Sequence, residues 1–192
     1  MSERLRDGLD AHLAVANAMP SLLPKVAEVG AAVCRSLAGG GKLIAFGNGG
    51  SAADAQHFAA ELIGHFRRDR RPLPAIALTS DSSVVTAIAN DYAYPDVFAR
   101  QVAAVANGGD VVVGISTSGD SENVLRGLLA ARQRGAPTVA LIGQDGRIAE
   151  VADHVLAVPS GDTARVQEMH ILLIHLLSEI VDEWAAEQEA SR

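Results

Sequence analysis

The chain has 192 residues, one cysteine (Cys34) and a formal charge of −7, from 16 basic and 23 acidic side chains. An internal disulfide and a cysteine-based zinc or iron–sulfur site are therefore excluded, and the acidic balance argues against a life on phosphate backbones. With Lys25 and Lys42 as the only lysines and no G-x-x-x-x-G-K-[ST] stretch, a Walker-type nucleotidase is excluded too, while 48% hydrophobic content suits one domain with a real core.

In chain order, two helical patterns come first, about Glu3–Met19 and Leu22–Leu37, ended by Gly39-Gly40-Gly41. Their apolar stripes, Leu5, Leu9, Leu13 and Val26, Val29, Val33, lie outside the α/β pattern and predict packing between subunits. The first residues are charged with no apolar run behind them, so no signal peptide is expected. Leu43–Phe46 reads as a strand flowing into Gly47-Asn48-Gly49-Gly50-Ser51 and a helix over Ala52–Phe66. A basic loop holding Arg67, Arg68, Arg70 and Arg71 precedes a strand at Ala75–Leu78. A helix near Ser82–Ala89, a turn around Asn90-Asp91-Tyr92 and a helix from Asp96 to Ala106 follow.

The second half repeats the alternation: strand Val111–Ile115, polar loop Ser116–Ser121, helix Glu122–Arg134 and strand Thr138–Ile142. A short helix near Ile148, a strand at His154–Val158 and a long helix over Thr163–Glu187 close the chain. The strands are continuous apolar runs, as strands covered on both faces are. The expected fold is an α/β sandwich around a mostly parallel sheet, with a helical N-terminal arm over residues 1–38 in a single domain over 1–192. No apolar run reaches the roughly 18–20 residues a bilayer span needs, so a soluble, cytoplasmic protein without membrane or nucleic-acid partners is expected.

Where the first strand meets its helix, Gly47–Ser51 lets backbone N–H groups approach an anion or sugar, helped by the helix dipole. The alternative is a tight turn. The same residues fit G-x-G-x-x-A, but the first acid after the next strand is Asp81, so nicotinamide binding is the weaker ligand reading. Ser116, Thr117, Ser118 and Ser121, with Gly119 among them, form a nest of donors without lysine or arginine that suits a phosphate monoester. The competing reading is an over-hydroxylated helix cap. His57 and Glu61 share a helix face and can bind a metal, work as acid and base, or be a surface pair. On the last helix His170 and His175 diverge by about 140° at 100° per residue, so one of them faces a given site and the other is packed or solvated. The arginine loop, with Asp69 inside it, reads as solvated.

Together, Gly47–Leu62, Asn90-Asp91-Tyr92, Ser116–Ser121 and Thr163–His175 resemble the phosphoheptose isomerase family of the sugar-isomerase (SIS) fold, over nearly the whole chain. The resemblance implies a three-layer SIS sandwich and conversion of sedoheptulose 7-phosphate to D-glycero-D-manno-heptose 7-phosphate through an enediol, the first step of nucleotide-activated heptose biosynthesis. It implies substrate contacts from Asn48, Gly49, Gly50, Ser51, Glu61, Asn90, Asp91, Ser116, Thr117, Ser118, Ser121 and Gln167. It also implies zinc at His57, Glu61, Gln167 and His175, an acid/base pair of Glu61 and His175, and a homotetramer. Two positions depart from the family pattern: Ala93 stands where glycine is common, and Asp120 where asparagine is, so the Asp120 carboxylate is expected to point away from a dianionic phosphate or to weaken its binding somewhat. Gln167 and His175 lie about 12 Å apart along a helix axis, whereas zinc–ligand bonds are about 2 Å. Sharing one metal therefore needs a long reach, an irregular helix, or different subunits. Non-catalytic SIS-fold binding proteins, including a replication-initiator-associating factor, are the alternative class, against which Glu61, His57 and His175 argue.

Overall fold

Five apolar runs pair side by side, all parallel, in the order β2-β1-β3-β4-β5. The strands are β1 (Leu43–Gly47), β2 (Ala75–Ala77), β3 (Val111–Ser116), β4 (Thr138–Ile142) and β5 (His154–Ala157). The computed structural model describes residues 2–190; Met1, Ser191 and Arg192, which the expected domain over 1–192 includes, lie outside the described residues. The helices are α1 (Ser2–Ala18), α2 (Leu23–Ala38), α3 (Gly50–Ile63), α4 (Ser82–Asp91), α5 (Val97–Val105), α6 (Glu122–Gln133) and α7 (Thr163–Ala190). Short 3-10 turns lie at Met19–Leu22, Tyr94–Asp96 and Arg147–Glu150.

Period-two alternation divides each central strand between two cores. Leu43, Ala45, Val111, Val113, Ile115, Val139 and Leu141 face a core built with α2, α3 and α7; Ile44, Phe46, Val112, Ala140 and Ile142 face one built with α5 and α6. The result is the expected three-layer α/β sandwich. In the order 2-1-3-4-5 the chain leaves β1 toward one edge of the sheet and β3 toward the other. The crevice where ligands of open α/β sheets bind therefore opens at the carboxyl ends of β1 and β3. Gly47 and Ile115 are partners in that register, so the glycine loop and the hydroxyl loop emerge side by side.

The expected boundaries shift in three places. Helix α3 starts at Gly50 and stops at Ile63, where the Gly64 N–H caps back to the Ala60 carbonyl, so Phe66 lies beyond the helix. Asn90 and Asp91 are the last residues of α4 rather than a turn. The strand expected over Ala75–Leu78 keeps three paired residues at the sheet edge.

The N-terminal arm divides. Val26, Val29 and Val33 of α2 are buried inside this chain, against α7, where Gly30 brings the helices so close that a Cβ there would lie 2.8 Å from Ile180. The expectation that this stripe packs between subunits is therefore corrected: a long α7 is already there to cover it. Only the α1 stripe stays open, with Leu5, Leu9 and Leu13 at 72%, 58% and 48% exposure. Helix α1 is tied to α7 by polar groups, His12 Nδ1 to Glu168 at 2.7 Å and Arg165 to the Gly8 carbonyl.

His170 is fully buried, and its Nε2–H donates to the Ile142 carbonyl of β4 at 3.2 Å while Nδ1 has no partner. Burial, only partly opposed by that hydrogen bond, pushes its pKa down to about 4. A histidine whose folded pKa is depressed stabilises the fold least at low pH: the unfolded chain takes up its proton first, so stability is lost as pH falls from about 6.5 toward 4. His170→Met is expected to narrow the stability gap to wild type, or reverse it, over that window. Thermal melts followed by circular dichroism between pH 7.5 and 4.5 read this, and parallel pH profiles would count against it.

Candidate functional site

The glycine loop is held by backbone geometry and one side chain. Gly49 has φ +56°, a conformation that strains any residue with a Cβ, and its carbonyl accepts from the Ala52 and Ala53 N–H groups to start α3. The Gly50 and Ser51 N–H groups, the first of α3, have no partner within the helix, as at any helix start. Asn48, between loop and strand, pairs its carboxamide with that of Asn123, Nδ2 to Oδ1 at 2.8 Å in both directions, and its Oδ1 also accepts from the Tyr94 hydroxyl at 3.0 Å. Asn123 and Tyr94 escaped the reading of the sequence, because nothing local marks an asparagine in a helix's first turn as the partner of one 75 residues earlier.

In the hydroxyl loop Ser116 Oγ lies 2.9 Å from Ser121 Oγ and 3.4 Å from Ser118 Oγ. Ser121 stands at the N-cap position of α6, yet its side chain makes no capping hydrogen bond. The Ser121 hydroxyl turns to Ser116 rather than to the helix end, which argues against the helix-cap reading. Gly119, at φ +69°, comes so close to Asp145 that a Cβ would meet its carbonyl oxygen at 2.1 Å, which pins the loop against the turn after β4. Asp120 is engaged by Arg147. Its Oδ1 accepts from the Arg147 N–H at 3.0 Å and lies 3.4 Å from the guanidinium.

Helices α3 and α7 run side by side and meet at two levels. At the upper one Gln167 reaches the glycine loop, where a Cβ on Gly50 would lie 2.4 Å from Gln167 Nε2. At the lower one His57 Nε2 lies 3.0 Å from Glu61 Oε1 and 3.1 Å from His175 Nε2. The ligand atoms of His57, Glu61 and His175 all fall within 4.8 Å of one another. Two imidazoles and a carboxylate are a borderline-metal donor set. Bonds of about 2 Å in a tetrahedron separate neighbouring ligands by roughly 3.3 Å, so the spacing fits one ion. The surface-pair reading of His57 and Glu61 is thereby replaced. Of the two histidines, His175 faces this group and His170 is packed.

Helix α7 is continuous from Thr163 to Ala190, and Gln167 is turned to Gly50. An irregular helix is thereby removed as a way for Gln167 to join His175 on one ion within this chain. Asn90 Nδ2 donates to Asp91 Oδ1 at 2.8 Å; both residues are exposed, and no hydrogen bond joins either to the other candidates among the described residues.

The arginine loop is not simply solvated. Arg70 is buried and pairs with Asp182 of α7, Nε to Oδ1 at 2.6 Å, while its other nitrogens donate to the Glu61 and Leu62 carbonyls at 2.9 Å. Asp182 also accepts from the Arg67 and Arg68 N–H groups. Burial alone would raise its pKa; the bonds from Arg67, Arg70 and Arg68 outweigh that and hold it below the ordinary carboxylate value. The turn that follows Gly64 stacks Phe66 on the His175 ring, centroids 5.1 Å apart. Asp54, one turn before His57, is buried with Oδ2 unpartnered; burial, partly opposed by His57, pushes its pKa up to about 6.

Comparison with known proteins agrees with this geometry. The SIS domain family matches residues 11–143, ending before α7. The phosphoheptose isomerase of Geobacter sulfurreducens is 55% identical over 162 residues, 84% of this chain and 86% of the relative. That of Geobacter metallireducens is 50% identical over 184 residues, 95% and 97% of the two chains. The solved structure of the phosphoheptose isomerase from Neisseria gonorrhoeae superposes with a TM-score of 0.90 at 43% identity, covering 95% of this chain and 98% of that one.

Proposed function

The chain belongs to the phosphoheptose isomerase family of SIS-domain proteins, and on that premise we propose which of its residues carry the reaction and how. The reaction converts sedoheptulose 7-phosphate to D-glycero-D-manno-heptose 7-phosphate, feeding nucleotide-activated heptose synthesis in the cytoplasm, with the whole chain acting as one SIS unit. The convergence of His57, Glu61 and His175 from two helices, beside paired ligand loops at the sheet's switch point, is the observation that carries the reading.

The hydroxyl loop (Ser116, Thr117, Ser118, Ser121) takes the 7-phosphate, and the glycine loop (Asn48, Gly49, Gly50, Ser51) takes the sugar, with Gln167 against it. Asn90 and Asp91 contribute further sugar contacts. Glu61 removes the C1 proton while His175 donates a proton to O2, which leaves an enediol. Loss of the O1 proton and return of the carbon proton to C2 complete the aldose. Glu61 suits the carbon base because only Oε1 is engaged, with His57, and the other oxygen carries no hydrogen bond. Each such transfer contributes about 10²–10⁴-fold. His57, Glu61 and His175 would hold zinc, which would supply a Lewis acid for the carbonyl when bound. In a homotetramer built through the open Leu5, Leu9 and Leu13 stripe, Gln167 would complete the metal set from a different subunit.

With zinc content matched to wild type, Glu61→Gln should lower turnover of sedoheptulose 7-phosphate at least about 10²-fold and lower solvent-deuterium incorporation with it. Near-normal turnover and exchange in that variant would move the base elsewhere. Phosphate held equally in ground and transition states predicts a different pattern for Ser121→Ala: KM rises several-fold with kcat nearly unchanged. A wild-type KM would remove the loop from the phosphate. Light scattering should give four times the 19.9 kDa subunit mass, and a monomer at micromolar concentration would refute the shared site.

A further inference from the structure

We infer that Asn123 is a positioning residue for the isomerase: its carboxamide, paired both ways with that of Asn48 under the Tyr94 hydroxyl, locks the glycine loop to the helix behind the hydroxyl loop. The geometry is specific. Both Asn48–Asn123 contacts are 2.8 Å, the Tyr94 contact is 3.0 Å, and Asn123 is 4% exposed. An amide at that depth needs its partners, and each of these two offers the other a matching donor and acceptor. The Asn48 carbonyl is filled by two donors, so what Asn48 offers a ligand is its second amide N–H and its backbone.

The loop's other ties are the Gly49 carbonyl, which takes the Ala52 and Ala53 N–H groups, and the close approach of Gln167 to Gly50. Gly49 and Gly50 are exposed and bring no side chain of their own to the crevice, so Asn48 is the one residue between β1 and α3 with a side-chain hydrogen bond. Asn123 sits in the first turn of α6, two residues after Ser121, and Tyr94 lies in the 3-10 turn just after Asn90 and Asp91. One polar node thus joins three ligand segments that come from distant parts of the chain. A second link braces it: Arg126 of α6 pairs with Asp96 of the same 3-10 turn at 2.8 Å and with Glu122 at 2.8 Å. The loop's N–H groups act on the bound sugar phosphate before and during reaction alike, so loosening them should weaken binding more than it slows chemistry.

The inference rests on the isomerase reading, and the test separates the two. Zinc-loaded wild type, Asn123→Ala, Asn48→Ala, the double variant and Tyr94→Phe are compared by steady-state kinetics on sedoheptulose 7-phosphate. Hydrogen exchange of residues 48–52 is measured in parallel without ligand. Asn123→Ala should raise KM about tenfold, the loss of one buried hydrogen-bonded pair, with kcat within about threefold and faster exchange confined to the loop. Asn123 acts through Asn48, so the double variant should be no worse than the worse single one, whereas additive effects would overturn the inference. Tyr94→Phe removes one hydroxyl from a half-exposed ring and should raise KM in the same direction by a smaller factor. If Asn123→Ala does not fold, Tyr94→Phe decides: unchanged KM and unchanged loop exchange overturn the inference. Should wild type fail to turn over the heptose phosphate, the isomerase reading falls. The exchange data then still decide the lock, which is upheld by faster loop exchange in the variants and overturned by unchanged exchange.

Discussion

The buried ion pair between Arg70 and Asp182 governs the geometry of the catalytic side of this molecule. It joins the chain just beyond α3 to the second half of α7, and Arg70 also takes up the last carbonyls of α3, which a helix end leaves without partners. A cation there is favoured by the helix dipole. His57 and Glu61 ride on α3 and His175 on α7, so their mutual distances are set by how these two helices are pinned. Removing one partner of such a pair strands the other charge in the interior, at a cost of about 3–5 kcal/mol. Phe66, between α3 and Arg70, is carried onto the His175 ring by the same turn.

The sheet supplies the other half of the site. Parallel strands in the order 2-1-3-4-5 bring the ends of β1 and β3 together, and the loops that follow them inherit that adjacency. Neither loop carries a lysine or arginine. On the proposed reading, anion recognition relies on hydroxyls, on N–H groups at a helix start and on rigid placement, with Gly119 wedged against Asp145 and Asn48 clasped by Asn123. Asp120, the one carboxylate in the hydroxyl loop, is turned outward and held by Arg147.

Helix α7 has several duties that follow from its length. One face closes the core through Val166, Leu173, Leu177 and Val181; another sets Gln167 at the glycine loop and His175 two turns further down. His170 and His175 show how strongly a few residues of offset matter. The first points at β4 and is held neutral by burial, while the second reaches the His57–Glu61 pair.

By itself the sequence determined the alternation of strands and helices, because apolar runs of strand length between amphipathic helices leave few other folds. It also marked Gly47–Ser51 and Ser116–Ser121 as candidate ligand loops, because glycine and hydroxyl clusters at strand ends are local signals. His57 and Glu61 were legible as one helix face. The tertiary structure alone decided that His175 joins them while Gln167 lies against Gly50, that the Ser121 hydroxyl turns to Ser116 instead of the helix end, and that α2 is covered within the chain while α1 is not. Only there, too, did Arg70 become a buried strut and Asn123 a partner of Asn48. Ser121 apart, whose partner Ser116 is five residues away, the physical reason is shared: these contacts join residues from 75 to more than 110 positions apart in the chain, or turn on which neighbour covers a face, and local periodicity holds no information about either.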